Sequence, residues 1–393
     1  MASRGAPARP LRDRLDASHA GLRRACVQPH RGRPGAHLGR AARPGRPRAD
    51  ARRVSAHLAG GAVGSGRGSA RPSAAEPVAR ERLGHCSTGI GGPVRLRLDV
   101  VPDAIRIVED NIEATEAWNG PLFDIWIEYR DIVAESLQPH EDAALAVTPP
   151  QEGDRVLDIG CGLGDTTVRL ARTVGPTGHA HGVDVAERMI ETAVDEAAET
   201  GIDNVSFAVS DVETTRFDQV FDYAFSRMGT MFFANPVAAL RNVREGLAPG
   251  GLLNMVVWRR KLDNEFMHRA ETVVAEYLDE PEESDVPRCG PGPFSMANAD
   301  TVTDILKHAG YEDIRLARQD LRYKIGHDLE HAVRFNMALG PAAEVLRLWG
   351  DRVDEIRPKI ADDLRKALAD FVTDGGEVVA PSSTWAVTAR APR

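Results

Sequence analysis

The chain has 393 residues; residues 1–100 hold 20 Arg, no Lys and six acids (+14), and the total of −9 leaves −23 for residues 101–393. All 21 aromatic residues lie after residue 100, so the first hundred residues cannot bury enough apolar surface to offset chain entropy, and about 290 remain for one sizeable core. No run of 18 apolar residues suggests a membrane-spanning helix, no apolar h-region suggests a secretory signal, and four scattered cysteines (Cys26, Cys86, Cys161, Cys289) argue against a disulfide framework or Cys-rich zinc site.

Residues 1–100 admit three readings: a basic disordered arm for acidic partners, an Arg-rich transit peptide, or sequence upstream of the true start in a GC-rich gene. The third is preferred, since the chain has 44 Arg against 5 Lys. No Met lies between Met1 and Met189, so a start near Val100 or Val101 requires a non-ATG codon. Each reading expects this segment to be disordered.

Residues 104–137 read as two helices broken at Asn119-Gly120-Pro121. A regular alternation follows: strand Arg155–Ile159, helix Thr166–Val174, strand His179–Asp184, helix Arg188–Thr200, strands Val205–Val209 and Phe221–Phe225. Helix Pro236–Leu247 stops at Pro249-Gly250-Gly251, before strand Leu252–Trp258. Such alternation predicts crossover units and a parallel sheet. Beyond it come helix Phe266–Leu278, a loop at 279–294, helix Asp300–Ala309, a strand within Tyr311–Ile325, helices Leu329–Leu339 and Ala342–Phe371, and strand Thr384–Thr388.

The central signal is Val156-Leu157-Asp158-Ile159-Gly160-Cys161-Gly162-Leu163-Gly164. An apolar strand runs into three alternating glycines and then a helix, whose exposed N–H groups favour an anionic group. A dinucleotide fingerprint needs its third glycine at 165, where Asp stands instead. Asp184 ends the second strand 20 residues after Gly164, where an acid can take both ribose hydroxyls, and Asp211 follows the third strand.

This set resembles the class I S-adenosylmethionine-dependent methyltransferases. The resemblance is carried by the glycine loop, Gly182-Val183-Asp184, Ser210-Asp211-Val212 and Leu247-Ala248-Pro249-Gly250-Gly251, and covers about residues 104–393. It is closest to bacterial small-molecule methyltransferases of ubiquinone and menaquinone biosynthesis. The implied fold is a Rossmann-like α/β domain at 101–393. It has a seven-stranded, mostly parallel sheet with an antiparallel last strand, and lid helices at 104–137 and 265–372. Asp158 would hold the methionine ammonium. Gly160, Cys161, Gly162 and Gly164 would pass the backbone under the methionine and ribose. Asp184, followed by Val185, would bind the ribose hydroxyls. Asp211 and the Val212 N–H would read the adenine edge, and Ser226 would face the sulfonium. The resemblance implies S-adenosylmethionine as cofactor and S-adenosylhomocysteine as product.

Blander readings stand beside these. Asp184 can be a helix N-cap, Asp211 a turn former, and Cys161 a small space-filler. For the acceptor, Trp118, Tyr129, Phe232, Phe233 and Trp258 can wall an apolar site or be ordinary core. Arg227 can meet an acidic substrate or pair with Asp222. His268 is the one candidate base, although a lone His on a helix is more often structural. The fourth strand ends Ser226-Arg227-Met228-Gly229 rather than in the Asn/Asp-Pro-Pro-Tyr/Phe motif of nitrogen-directed enzymes. No metal-ligand cluster is visible, so no metal is expected, and the acidic globular part offers no basic groove for nucleic acid.

The expectation is a cytoplasmic methyltransferase, monomer or homodimer, moving a methyl group to O or C of a small, fairly apolar metabolite. The rivals are a non-catalytic S-adenosylmethionine-binding sensor or assembly protein, an NAD(P)-dependent oxidoreductase, and a nucleic-acid methyltransferase using the Arg-rich arm.

Overall fold

Strand β1 (Arg155–Ile159) buries Val156, Leu157 and Ile159 completely, as an apolar run covered on both faces requires. A computed structural model of the chain describes residues 107, 109–279, 288 and 290–393. The segment 1–100 with its expected disorder, and Cys26, Cys86 and Cys289, lie outside the described residues.

Around β1 stand β2 (His179–Asp184), β3 (Val205–Val209), β4 (Phe221–Arg227), β5 (Leu247–Trp258), β6 (Glu312–Gly326) and β7 (Val378–Arg390). The sheet order is β3-β2-β1-β4-β5-β7-β6. Neighbours from β3 to β5 pair in parallel, and β7 runs antiparallel to both β5 and β6. This is the mostly parallel sheet with an antiparallel last strand that the sequence implied. The strand order reverses between β1 and β4, so a crevice opens at their carboxyl ends.

The helices are α1 (Ile112–Asn119), α2 (Pro121–Val147), α3 (Asp165–Val174), α4 (Glu187–Glu199), α5 (Pro236–Gly246), α6 (Glu265–Ala275), α7 (Ala299–Ala309), α8 (Leu329–Ala338), α9 (Pro341–Trp349) and α10 (Arg357–Leu368). Several boundaries differ from the expectation: β5 starts five residues early and takes in Pro249-Gly250-Gly251, β4 runs on to Arg227, the helix expected to Leu278 ends at Ala275, and three further differences have a clear physical cause. Helix α2 continues ten residues past Leu137, through Pro139. Two buried residues after that proline tie it down: His140, whose ring meets the hydroxyls of Thr384 (2.9 Å) and Ser382 (2.8 Å), and Glu141. Tertiary bonds here outweigh the local break. The single helix expected at 342–371 is two, α9 and α10, parted at Gly350, whose φ of 55° is left-handed. Strand β7 begins at Val378, although it contains Pro381. Pairing with β5 starts only at Thr384, so Pro381 faces no β5 carbonyl and costs no ladder bond on that side.

His140 is fully buried, and desolvation pushes its pKa down from 6.5 to about 4. The unfolded chain therefore takes up this proton first as pH falls. The His140 contribution is complete above pH 6.5 and is lost between there and about 4, roughly 3 kcal/mol in all. Urea midpoints compared across this window should fall more steeply for the wild type than for His140→Gln. Parallel curves would refute the assignment.

Candidate functional site

The loop after β1 turns on three left-handed glycines: Gly160 (φ 65°), Gly162 (53°) and Gly164 (82°). Each needs glycine for its own reason. A Cβ on Gly160 would sit 2.9 Å from the Gly229 Cα, where the loops after β1 and β4 touch backbone to backbone. A Cβ on Gly164 would sit 2.8 Å from the Phe207 ring. At Gly162 nothing lies within 4 Å. Gly160 and Gly162 line one cavity of about 980 Å³, and the open side of Gly162 is where a ligand can approach the backbone.

Around that loop the strand ends present three acids to the same cavity, Asp158, Asp184 and Asp211. Asp158 is 1% exposed and accepts a 2.6 Å hydrogen bond from the Thr167 hydroxyl. Burial pushes its pKa up to about 7 against the opposing Thr167 bond, and Glu141 pushes the same way as burial. Asp184 accepts the Gly162 N–H (3.0 Å) and the Ala186 N–H (2.9 Å). Burial raises its pKa, and these backbone bonds counter the rise. Asp211 accepts from the Glu213 N–H (2.9 Å) and from the Asn111 amide (3.2 Å), which also reaches Glu213 (3.1 Å). Asn111, just before α1, thereby fastens that helix to the loop after β3.

Beneath the cavity lies a charged hub. Glu141 is 0% exposed and accepts from Thr166 Oγ1 (3.0 Å), Arg169 Nη1 (2.7 Å) and Arg227 Nη1 (2.8 Å). Arg227 therefore pairs with Glu141 rather than Asp222, which accepts the Arg155 N–H instead. The outer wall is aromatic: Trp118 packs edge-on against Trp126 (5.8 Å) and Phe232 (5.5 Å).

Of the residues expected from sequence, the cavity collects Asp158, Gly160, Cys161, Gly162, Asp184, Val185, Asp211, Val212, Trp118, Arg227, Phe232, Phe233 and Trp258. Four do not line it. Ser226 is fully buried and donates to the Ile159 carbonyl (2.8 Å), so it ties β4 to β1 and faces no sulfonium. Gly164 caps α3 against Phe207. Tyr129 is buried on the Phe335 and His331 rings. His268 lies on α6 and does not itself line the cavity, although Met267 and Glu271 beside it do. Burial beside Asp184 and Asp158 raises the Cys161 thiol well above its ordinary value, which suits a space-filler rather than a nucleophile. Among the described residues, no group of three or more His, Cys, Asp or Glu is placed to hold a metal ion.

Sequence reasoning missed Glu141, Asn111, Thr167 and Gly229. Glu141 carried no local signal, because the expected helix stopped at residue 137 and its partners Arg169 and Arg227 are distant in the chain. Asn111 carried none, because its partner is 100 residues away.

A family model described as "Methyltransferase domain" matches residues 150–308. The aklanonic acid methyltransferase DauC of Streptomyces sp. (strain C5) is 37% identical over 124 residues, 31% of this chain and 56% of that protein. A demethylmenaquinone methyltransferase of Staphylococcus aureus (strain JH9) is 34% identical over 104 residues, 26% of this chain and 42% of that protein. The matched stretches thus span about half the length of these curated relatives. Among solved structures, the YcgJ protein of Bacillus subtilis is 18% identical, with a TM-score of 0.42, over 64% of this chain and 97% of that one. Residues 150–308 thus carry a methyltransferase-domain match, and the curated relatives that the chain resembles there are methyltransferases.

Proposed function

We propose that residues 101–393 form a single enzyme that binds S-adenosylmethionine and transfers its methyl group to O or C of a small, fairly apolar metabolite. The observation that carries this reading is the one cavity joining the glycine loop, three strand-end acids and an aromatic wall. At about 980 Å³ it is at the upper end of small-molecule sites, so cofactor and acceptor fit side by side. The donor groups suit the cofactor: the open flank of Gly162 is a cradle that a Cβ would fill, and the acids complement a cationic ligand.

When bound, S-adenosylmethionine supplies an electrophilic methyl on a sulfonium. This chain's residues do the positioning. Asp158 takes the methionine ammonium and Asp184 the ribose hydroxyls, with Val185 beside it. Asp211 and the Val212 N–H take the adenine edge. Trp118, Phe232, Phe233 and Trp258 hold an apolar acceptor and exclude water around it. Such alignment is worth several kcal/mol of the barrier.

Among the described residues no helix is long and apolar enough to cross a membrane. The acidic balance after residue 100 supports a metabolite rather than a nucleic-acid acceptor; a cytoplasmic monomer or homodimer is part of the same proposal.

Calorimetric titration with S-adenosylhomocysteine tests the reading. Binding in the micromolar range is expected, weakened about 100-fold by Asp184→Ala through loss of two charge-assisted hydrogen bonds to ribose. A folded wild type that ignores S-adenosylhomocysteine but binds NAD would overturn it.

A further inference from the structure

We propose that Arg227 is a carboxylate-binding residue, aimed into the cavity by Glu141. The inference rests on the methyltransferase reading and adds the chemistry of one more ligand group to it.

Arg227 ends β4, and its side chain is 15% exposed. Nη1 donates to Glu141, and that is its only hydrogen bond among the described residues. Nε and Nη2 are not among the buried polar atoms that lack a partner, so they are open, and the surface Arg227 lines is the cavity. Glu141 is shared among three donors and meets Arg227 through Nη1 alone. It is wholly buried and already serves Thr166 and Arg169, while Arg169 also holds Asp142. Asp158 is engaged by Thr167.

The backbone keeps the fork in place. Met228, directly after Arg227, has a φ of 66°, uncommon for a residue with a long side chain, and its N–H donates to the Val256 carbonyl (2.9 Å). Beyond it, Gly229 packs against Gly160. The guanidinium is thus fixed by strand pairing, a strained turn and a buried carboxylate, and two donors face a cavity that also holds the Asp165 carboxylate, which feels the Arg227 charge but makes no hydrogen bond to it.

A planar fork with two free N–H groups matches a carboxylate bidentately. Two sources fit. Asp158 pairs in register with Phe225 on the neighbouring strand, so Asp158 and Arg227 stand at adjacent strand ends, as an amino-acid zwitterion requires. Phe232, Trp258 and Tyr323 line the same cavity, as the acid of an aromatic acceptor requires.

Two pairs of probes separate the sources in the full chain. The first is S-adenosylhomocysteine against its decarboxylated analogue, S-adenosyl-3-thiopropylamine. The second, with S-adenosylhomocysteine saturating, is anthraquinone-2-carboxylate against 2-(hydroxymethyl)anthraquinone. The wild type should prefer the acid by about tenfold or more in one pair, which names the source. Arg227→Gln, made together with Glu141→Gln so that no buried carboxylate is orphaned, should abolish that preference and leave the neutral probe's affinity nearly unchanged. Equal affinities in both wild-type pairs would overturn the inference without recourse to any variant, while leaving the cofactor reading intact. A preference that survives in the double variant would also overturn it. A wild type that binds no S-adenosylhomocysteine would remove the cofactor reading and this inference together.

Discussion

Glu141→Ala is expected to destabilise the protein by about 3–5 kcal/mol, more than a typical substitution. The carboxylate is fully buried and is met by two guanidinium groups and a hydroxyl at 2.7–3.0 Å. Its removal leaves Arg227, itself 15% exposed, with no carboxylate bonded to it, beside a new void. Arg169 suffers less because Asp142 still holds it. Glu141→Gln keeps an acceptor oxygen and should cost less than half as much. A combined Glu141→Leu/Arg227→Met exchange should recover much of the loss, since an apolar pair needs no desolvation. Urea midpoints at constant slope would measure all three. A loss below 1 kcal/mol in Glu141→Ala would mean that water already shares the hub.

The second large effect separates two glycines that look alike in sequence. Gly164→Ala is expected to cost about 3–4 kcal/mol. A left-handed φ of 82° penalises any Cβ, and this one would press into the fully buried Phe207 ring at 2.8 Å and the Ala193 methyl at 3.0 Å. Gly162→Ala meets nothing within 4 Å, so only the conformational penalty of about 1 kcal/mol applies. Its methyl group, however, occupies the ligand's side of the loop. Gly162→Ala should therefore stay folded and lose S-adenosylhomocysteine affinity about tenfold or more, whereas Gly164→Ala should melt early and bind normally when folded. Thermal melts paired with titrations distinguish the two. The reverse pattern would show that the loop presents its other face to the ligand.

That contrast marks how far the chain text could be read. Strands β1, β3 and β4 were legible as short, mostly apolar runs, whereas the start of β5 was misplaced because Pro249-Gly250-Gly251 reads as a stop yet lies inside the strand; Asp158, Asp184 and Asp211 stand out as acids at or just after strand ends. The glycine spacing revealed the loop but not which glycine serves packing and which serves a ligand. That depends on Phe207, about 40 residues away in the chain. Ser226 was misread for a related reason. Its place at a strand end implied exposure to the ligand, but the Ile159 carbonyl of the next strand was there to receive its hydroxyl. Glu141 was missed because Pro139 reads as a helix end, and nothing local reveals that His140 and Glu141 will be held from the other side of the core. His268 is a contrasting case, a reactive side chain on a helix whose orientation no local pattern determines, and it does not itself line the cavity.

The place of β7 bears on how the protein is made. Every strand that shapes the ligand crevice precedes it in the chain, yet β6 joins the sheet only through β7. During synthesis β5 must wait with one flank unpaired while more than a hundred residues are added. The crevice strands can pair early, but they stay poised for mispairing until the last strand slides into the gap. Ribosome-bound intermediates are thus the species for which a chaperone, or early capture of the cofactor, matters most.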